Sequence, residues 1–103
     1  MNIDPSTQFI HKALGVVIAP SVKIGCNCRI YQYVTIGGRG NNFNGEPHHP
    51  VIKDNVTVYA YSCILGDIVI GSNSIIGAHS LVLNDVPEGS IVFGIPARVI
   101  KKK

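Results

Sequence analysis

Four histidines, His11, His48, His49 and His79, are the side chains in this sequence best suited to moving a proton near neutral pH, because an imidazole titrates close to that range. Two chemistries use such residues. One is general-base catalysis at a hydroxyl group; the other is metal ligation, which needs several converging donors. Successive histidines lie 37, 1 and 30 positions apart, which matches no local ligand spacing, so no metal is expected. Cys26, Cys28 and Cys63 form an odd set that fits neither a zinc ribbon nor a C-x-x-C redox motif. They read as structural thiols, since a buried cysteine behaves as a small hydrophobe.

The histidines must be positioned by a scaffold, and the scaffold is written in a period of six. Ile18, Ile24, Ile30 and Ile36 are spaced by six, and so are Ile52, Val58, Ile64, Ile70, Ile76 and Val82. On a helix, at about 100° per residue, that spacing sends successive side chains to different sides. On an extended chain every sixth residue points the same way. Four positions after each comes a small or aliphatic partner: Val22, Cys28, Val34, Val56, Ser62, Ile68, Ser74, Ser80 and Val86. Such a repeat cannot bury its apolar face alone and must stack on its neighbours. The expectation is an all-β chain, a single-stranded parallel β-helix with three hexads, or 18 residues, per coil.

The rhythm breaks once, in "IGGRGNNFNGEPHHPVI", where Ile36 to Ile52 spans 16 positions instead of six. Ten residues pushed outward from the coil restore the count. Three ladders then follow: Ile18, Ile36, Ile64 and Val82; Ile24, Ile52 and Ile70; Ile30, Val58 and Ile76. The same count sets "IYQYVT" under "VYAYSC", with Tyr31 beneath Tyr59 and Tyr33 beneath Tyr61, about one strand spacing apart. It also sets Ala60 beneath Ala78 and His79 above Tyr61. The insertion carries His48 and His49 outward, and Pro50 fixes the backbone on return.

With 46% hydrophobic residues, 11 glycines and no tryptophan in 103 residues, the core is expected to be thin and aliphatic. A domain of this size buries only about 60–65% of its unfolded surface. The net charge of +3 is concentrated in the terminal "RVIKKK", which argues for a local anion site and against nucleic acid as a partner. "MNIDPSTQFI" has no signal-peptide pattern, and no apolar run approaches the roughly 18 residues of a membrane span. The expectation is a cytoplasmic protein with no membrane partner.

Three segments, "GVVIAPSVKIG" leading to "VTIGGRG", "HHPVIKDNVTV" and "IIGAHSLVLNDVPEGSIVFGIPARVIKK", resemble the hexapeptide-repeat acyltransferases. More narrowly, they resemble the catalytic domain of serine acetyltransferases and the related sugar O-acetyltransferases of polysaccharide gene clusters. Parallel crossovers are normally right-handed; the resemblance instead implies a left-handed β-helix. It further implies about five coils in one domain, 1–103, with a partial first coil (1–14), an extruded loop (about 37–50) and a C-terminal extension (88–103).

Its implied activity is acetyl-CoA-dependent O-acetyl transfer to a small hydroxyl acceptor, a sugar or an amino acid. The implied assembly is a homotrimer with sites between subunits. By the same resemblance His11 is the general base, and His48 and His49 contact the acceptor. Gly37 and Gly38 let a ligand approach the backbone, and Ala60 and Ala78 line the pantetheine arm. Arg98, Lys101 and Lys102 are placed to meet the adenosine phosphates.

His79 reads as a surface or interface residue. The family's D-H-A-T-G appears here as "IHKALG", with Ile10 for the aspartate, and its R-H-P reads "HHP". The alternatives are a catalytically inactive β-helix that binds or assembles, and a γ-type carbonic anhydrase, which the histidine spacings disfavour.

Overall fold

The computed structural model describes residues 2–38 and 49–102; Met1, residues 39–48 and Lys103 lie outside the described residues. The strands are mostly two or three residues long and stack into three faces of a prism. One face carries β1 (Asn2–Ile3), β4 (Lys23–Ile24), β7 (Val51–Ile52) and β10 (Val69–Ile70). The second carries β2 (Gln8–Phe9), β5 (Arg29–Ile30), β8 (Thr57–Val58), β11 (Ile75–Ile76), β13 (Ser90–Gly94) and β14 (Ala97–Lys102). The third carries β3 (Val17–Ile18), β6 (Thr35–Gly37), β9 (Cys63–Leu65) and β12 (Leu81–Val82). Pairing is parallel throughout, except for the antiparallel β13–β14 hairpin that closes one end.

The ladders run as the hexad count requires. Ile36 pairs with both Ile18 and Ile64, Ile52 with Ile24 and Ile70, and Val58 with Ile30 and Ile76. Pairings above the insertion are offset by 18 positions, as for Val51 and Val69, whereas those across it are offset by 28, as for Lys23 and Val51. The two offsets differ by ten, so the described strands on either side of residues 39–48 keep one register, while most of the expected extruded loop (about 37–50) lies outside the described residues. The inward residues are almost wholly shielded: Ile30, Ile36, Ile64, Ile70 and Ile76 are all 0% exposed. Each such burial contributes roughly 1.5–3 kcal/mol.

The small partners fill the corners of the triangle, where there is no room for a long side chain. Val22, Cys28, Val34 and Val56 are buried there, and so are Ser62, Ser74 and Ser80. The serines are tolerated because their hydroxyls find partners: Ser62 Oγ donates to the Gly77 carbonyl at 2.8 Å, Ser74 Oγ donates to that of Pro87 at 3.1 Å, and Ser80 Oγ accepts the Gly94 N–H at 3.2 Å.

Two departures from the period were not visible in the sequence. Gln8 pairs with Arg29 at an offset of 21, so the first coil carries three extra residues between β2 and β3. At the other end Ile76 pairs with Val92 at an offset of 16, so the last coil is shortened before the hairpin. The first departure holds His11.

Candidate functional site

His11 lies in the turn Ile10–Ala13, made by those three extra residues. His11, Lys12 and Ala13 all adopt left-handed backbone conformations, with φ of 58°, 58° and 59°. That conformation costs an L-residue with a side chain about 1–2 kcal/mol, and a run of three points to a task other than stability. The turn is tied down by Leu14 N–H to His11 O at 3.2 Å, Val16 N–H to Ala13 O at 3.1 Å and Tyr33 N–H to Leu14 O at 2.8 Å. It carries the imidazole out to solvent, where its edge meets the ring of Tyr31 at a centroid distance of 6.4 Å.

Above this turn the corner is lined by two aromatic columns. Tyr31 and Tyr59 lie 4.8 Å apart, and Tyr33 and Tyr61 stack at 5.1 Å with planes 7° apart. His79 extends the second column at 4.9 Å from Tyr61. These stackings were expected from the hexad count. At the foot is Gly15, where an added Cβ would come within 2.3 Å of the Tyr33 ring, so glycine alone fits.

Tyr33, Tyr61 and His79 are left-handed, with φ of 58°, 65° and 60°. The equivalent column at another corner holds Asn27, Asn55 and Asn73, and asparagine takes this conformation more readily than tyrosine. Between the aromatic columns run Gln32, Ala60 and Ala78, all half-buried. Gln32 Oε1 is buried without a hydrogen-bond partner.

His49 occupies a different edge. It precedes Pro50, which is buried and whose carbonyl accepts the Lys23 N–H at 3.3 Å. Its Nδ1 is hydrogen-bonded to Ser21 Oγ. On the same edge Gly37 ends β6, and its carbonyl accepts the Gly66 N–H at 2.9 Å, with Gly38 following. A Cβ on Gly37 would meet only Ala19, at 3.8 Å, an ordinary contact, so nothing inside the described fold demands glycine there. His48 lies outside the described residues.

The expected site residues thus fall in two groups. His11, Ala60 and Ala78 share the edge between the second and third faces; Gly37, Gly38 and His49 share the edge between the third and the first. Arg98, Lys101 and Lys102 are exposed on β14, with Arg98 opposite Phe93 and Lys101 opposite Ile91. Ser21, Gln32 and the His11 turn were missed by sequence reasoning. Ser21 did carry a signal, because it stands 28 positions before His49.

The cysteines take no part in either group. The Cys28 thiol is buried and donates to the Lys53 carbonyl at 3.0 Å, and burial pushes its pKa up, away from the reactive thiolate. Among the described residues no group of His, Cys, Asp or Glu could hold a metal ion. Among the described residues no helix is long and apolar enough to cross a membrane.

Residues 49–84 match the bacterial transferase hexapeptide family model (six repeats). Serine acetyltransferase of Staphylococcus xylosus is 48% identical over 107 residues, covering 99% of this chain and 49% of the relative. The chain therefore spans about half the length of that relative. A structure of serine acetyltransferase from Brucella abortus in complex with coenzyme A superposes with a TM-score of 0.86 at 34% identity, covering 98% of this chain and 42% of that one. Soybean serine acetyltransferase complexed with serine does so with a TM-score of 0.89 at 41% identity, covering 96% and 40%. These likenesses give the coil its hand, which is left-handed. Residues 49–84 thus carry the hexapeptide repeat of bacterial transferases, and along nearly all of its own length the chain is similar to serine acetyltransferases, of which it spans about half or less.

Proposed function

We propose that the protein is an acetyl-CoA-dependent O-acetyltransferase whose acceptor is the hydroxyl of a small amino acid of the serine class. The observation that carries this reading is that the three-residue insertion holds His11 and that His49 re-enters the coil directly after the ten-residue break, each at a prism edge, in a chain 41% identical to a plant relative complexed with serine.

His11, exposed and held by its left-handed turn, takes the acceptor proton as the alcohol oxygen attacks the thioester carbonyl. The new C–O bond forms, the C–S bond breaks, and the thiolate of CoA leaves with the proton returned by the imidazolium. Backbone N–H groups at Gly37 and Gly38 face the developing oxyanion. The pantetheine arm runs along the strip of Ala60 and Ala78, while Arg98 and Lys101 meet the phosphates. His48 and His49 hold the acceptor.

The two groups of residues lie on different edges, so one subunit does not assemble this site. A homotrimer closed about a threefold axis sets the His11 edge of one subunit against the His49 edge of the next. It also covers the exposed aromatic columns.

Ile10, standing where the family carries an aspartate, favours a second reading, a β-helix that binds acetyl-CoA without turning it over. Measuring CoA release from acetyl-CoA with L-serine separates the two. Serine-dependent release is expected; binding without release selects the second reading, and failure to bind acetyl-CoA overturns both.

A further inference from the structure

The strands on either side of residues 39–48 keep register, and this extends one step outside the strands. Lys23 pairs with Val51, so the positions two residues earlier, Ser21 and His49, stand one above the other on adjacent coils. Val51 pairs in turn with Val69, which sets Asp67 at the next place up the same corner. The Ser21 hydroxyl meets His49 at Nδ1, and the Lys23 N–H to Pro50 carbonyl bond pins the backbone beside the pair.

Neutral imidazole carries one N–H and one bare nitrogen, and the partner of one nitrogen decides the state of the other. We propose that Ser21 is a positioning residue whose hydroxyl donates to Nδ1 of His49, fixing the ring and placing its single proton on Nε2, which then donates to an oxygen of the acceptor. This rests on the assignment of His49 to the acceptor. A residue that holds an oxygen must present a donor, and a bare Nε2 would present none.

The test uses the full chain with acetyl-CoA and L-serine. Ser21→Ala is expected to raise the KM for L-serine roughly three- to tenfold, the size of one hydrogen bond, with kcat and the KM for acetyl-CoA unchanged. Ser21→Thr, which keeps the hydroxyl, is expected to restore the parent value. In nitrogen-15 NMR of the free protein, the His49 ring is expected as the Nε2–H tautomer in the parent and as a tautomer mixture in Ser21→Ala. An Nδ1–H tautomer in the parent overturns the proposal. So does an unchanged serine KM in Ser21→Ala while His49→Ala raises it. If His49→Ala itself leaves the serine KM unaltered, the assignment of His49 to the acceptor is what fails, and the NMR readout still decides whether Ser21 sets the tautomer.

Discussion

At the scale of single residues, the sites that matter are those where the fold gives no reason for the residue present. His11 is exposed, and its resolved contact is the edge of one tyrosine ring, so removing it should leave stability within the small range of surface changes. His11→Ala is expected to lower kcat by about 10²- to 10⁴-fold, the usual worth of a positioned base, with an unchanged Tm. A variant that keeps the full rate refutes the base assignment. Gly37 gives the same kind of test from the donor side. Among the described residues its Cβ position is open apart from Ala19 at 3.8 Å, so Gly37→Ala is expected to fold with the parent Tm while the KM for acetyl-CoA rises. A variant with parent kinetics shows that no ligand approaches this backbone.

The elements show how the coil holds these residues and what that costs. Three consecutive left-handed residues at His11 and a left-handed aromatic column above them are concentrated on one edge, whereas the asparagine corner carries residues suited to that backbone. Gly15 supports the aromatic column, and Gly89 offers an internal control for it. Both are left-handed, with φ of 66° and 70°, but an added Cβ meets the Tyr33 ring at Gly15 and nothing within 4 Å at Gly89. Gly89→Ala is expected to cost about 1–2 kcal/mol for the backbone alone. Gly15→Ala is expected to cost clearly more by denaturant or thermal unfolding, the excess measuring the displaced ring stack. Equal losses show that the column gives way freely.

For the whole molecule, the question is how two edges of one prism make one site. A chain of 103 residues with exposed Tyr33, Tyr61, Leu14 and Val17 needs further burial. The proposed trimer would provide it and would join unlike edges. Light scattering is expected to give three times the 11.0 kDa chain mass. The sharper test mixes two impaired variants: co-assembled His11→Ala and His49→Ala subunits are expected to regain activity at low L-serine, because some edges then pair two intact histidines. Absence of any recovery in demonstrably mixed trimers shows that each site lies within one subunit.

Much of the fold was legible in the residues because a solenoid coil contacts only its neighbours, so the inward positions obey a local rule. Ile30, Val58 and Ile76 declare their ladder by spacing alone, and the repeated tyrosine pairs Tyr31/Tyr33 and Tyr59/Tyr61 fixed the insertion at ten residues. Residues outside the ladder leave no periodic trace. The three extra residues at His11 were hidden because only Ile3 and Phe9 precede them as rungs, too few to define a period. The assignment of His11 and His49 to separate edges, the left-handed turn and the Ser21 contact depend on where corners fall and how their backbones turn. Spacing carries no record of those dihedrals. The sequence by itself therefore determined which residues face inward, which coil each belongs to and which tyrosines stack, while the tertiary structure alone decided how the corner backbones turn and what the remaining outward residues touch.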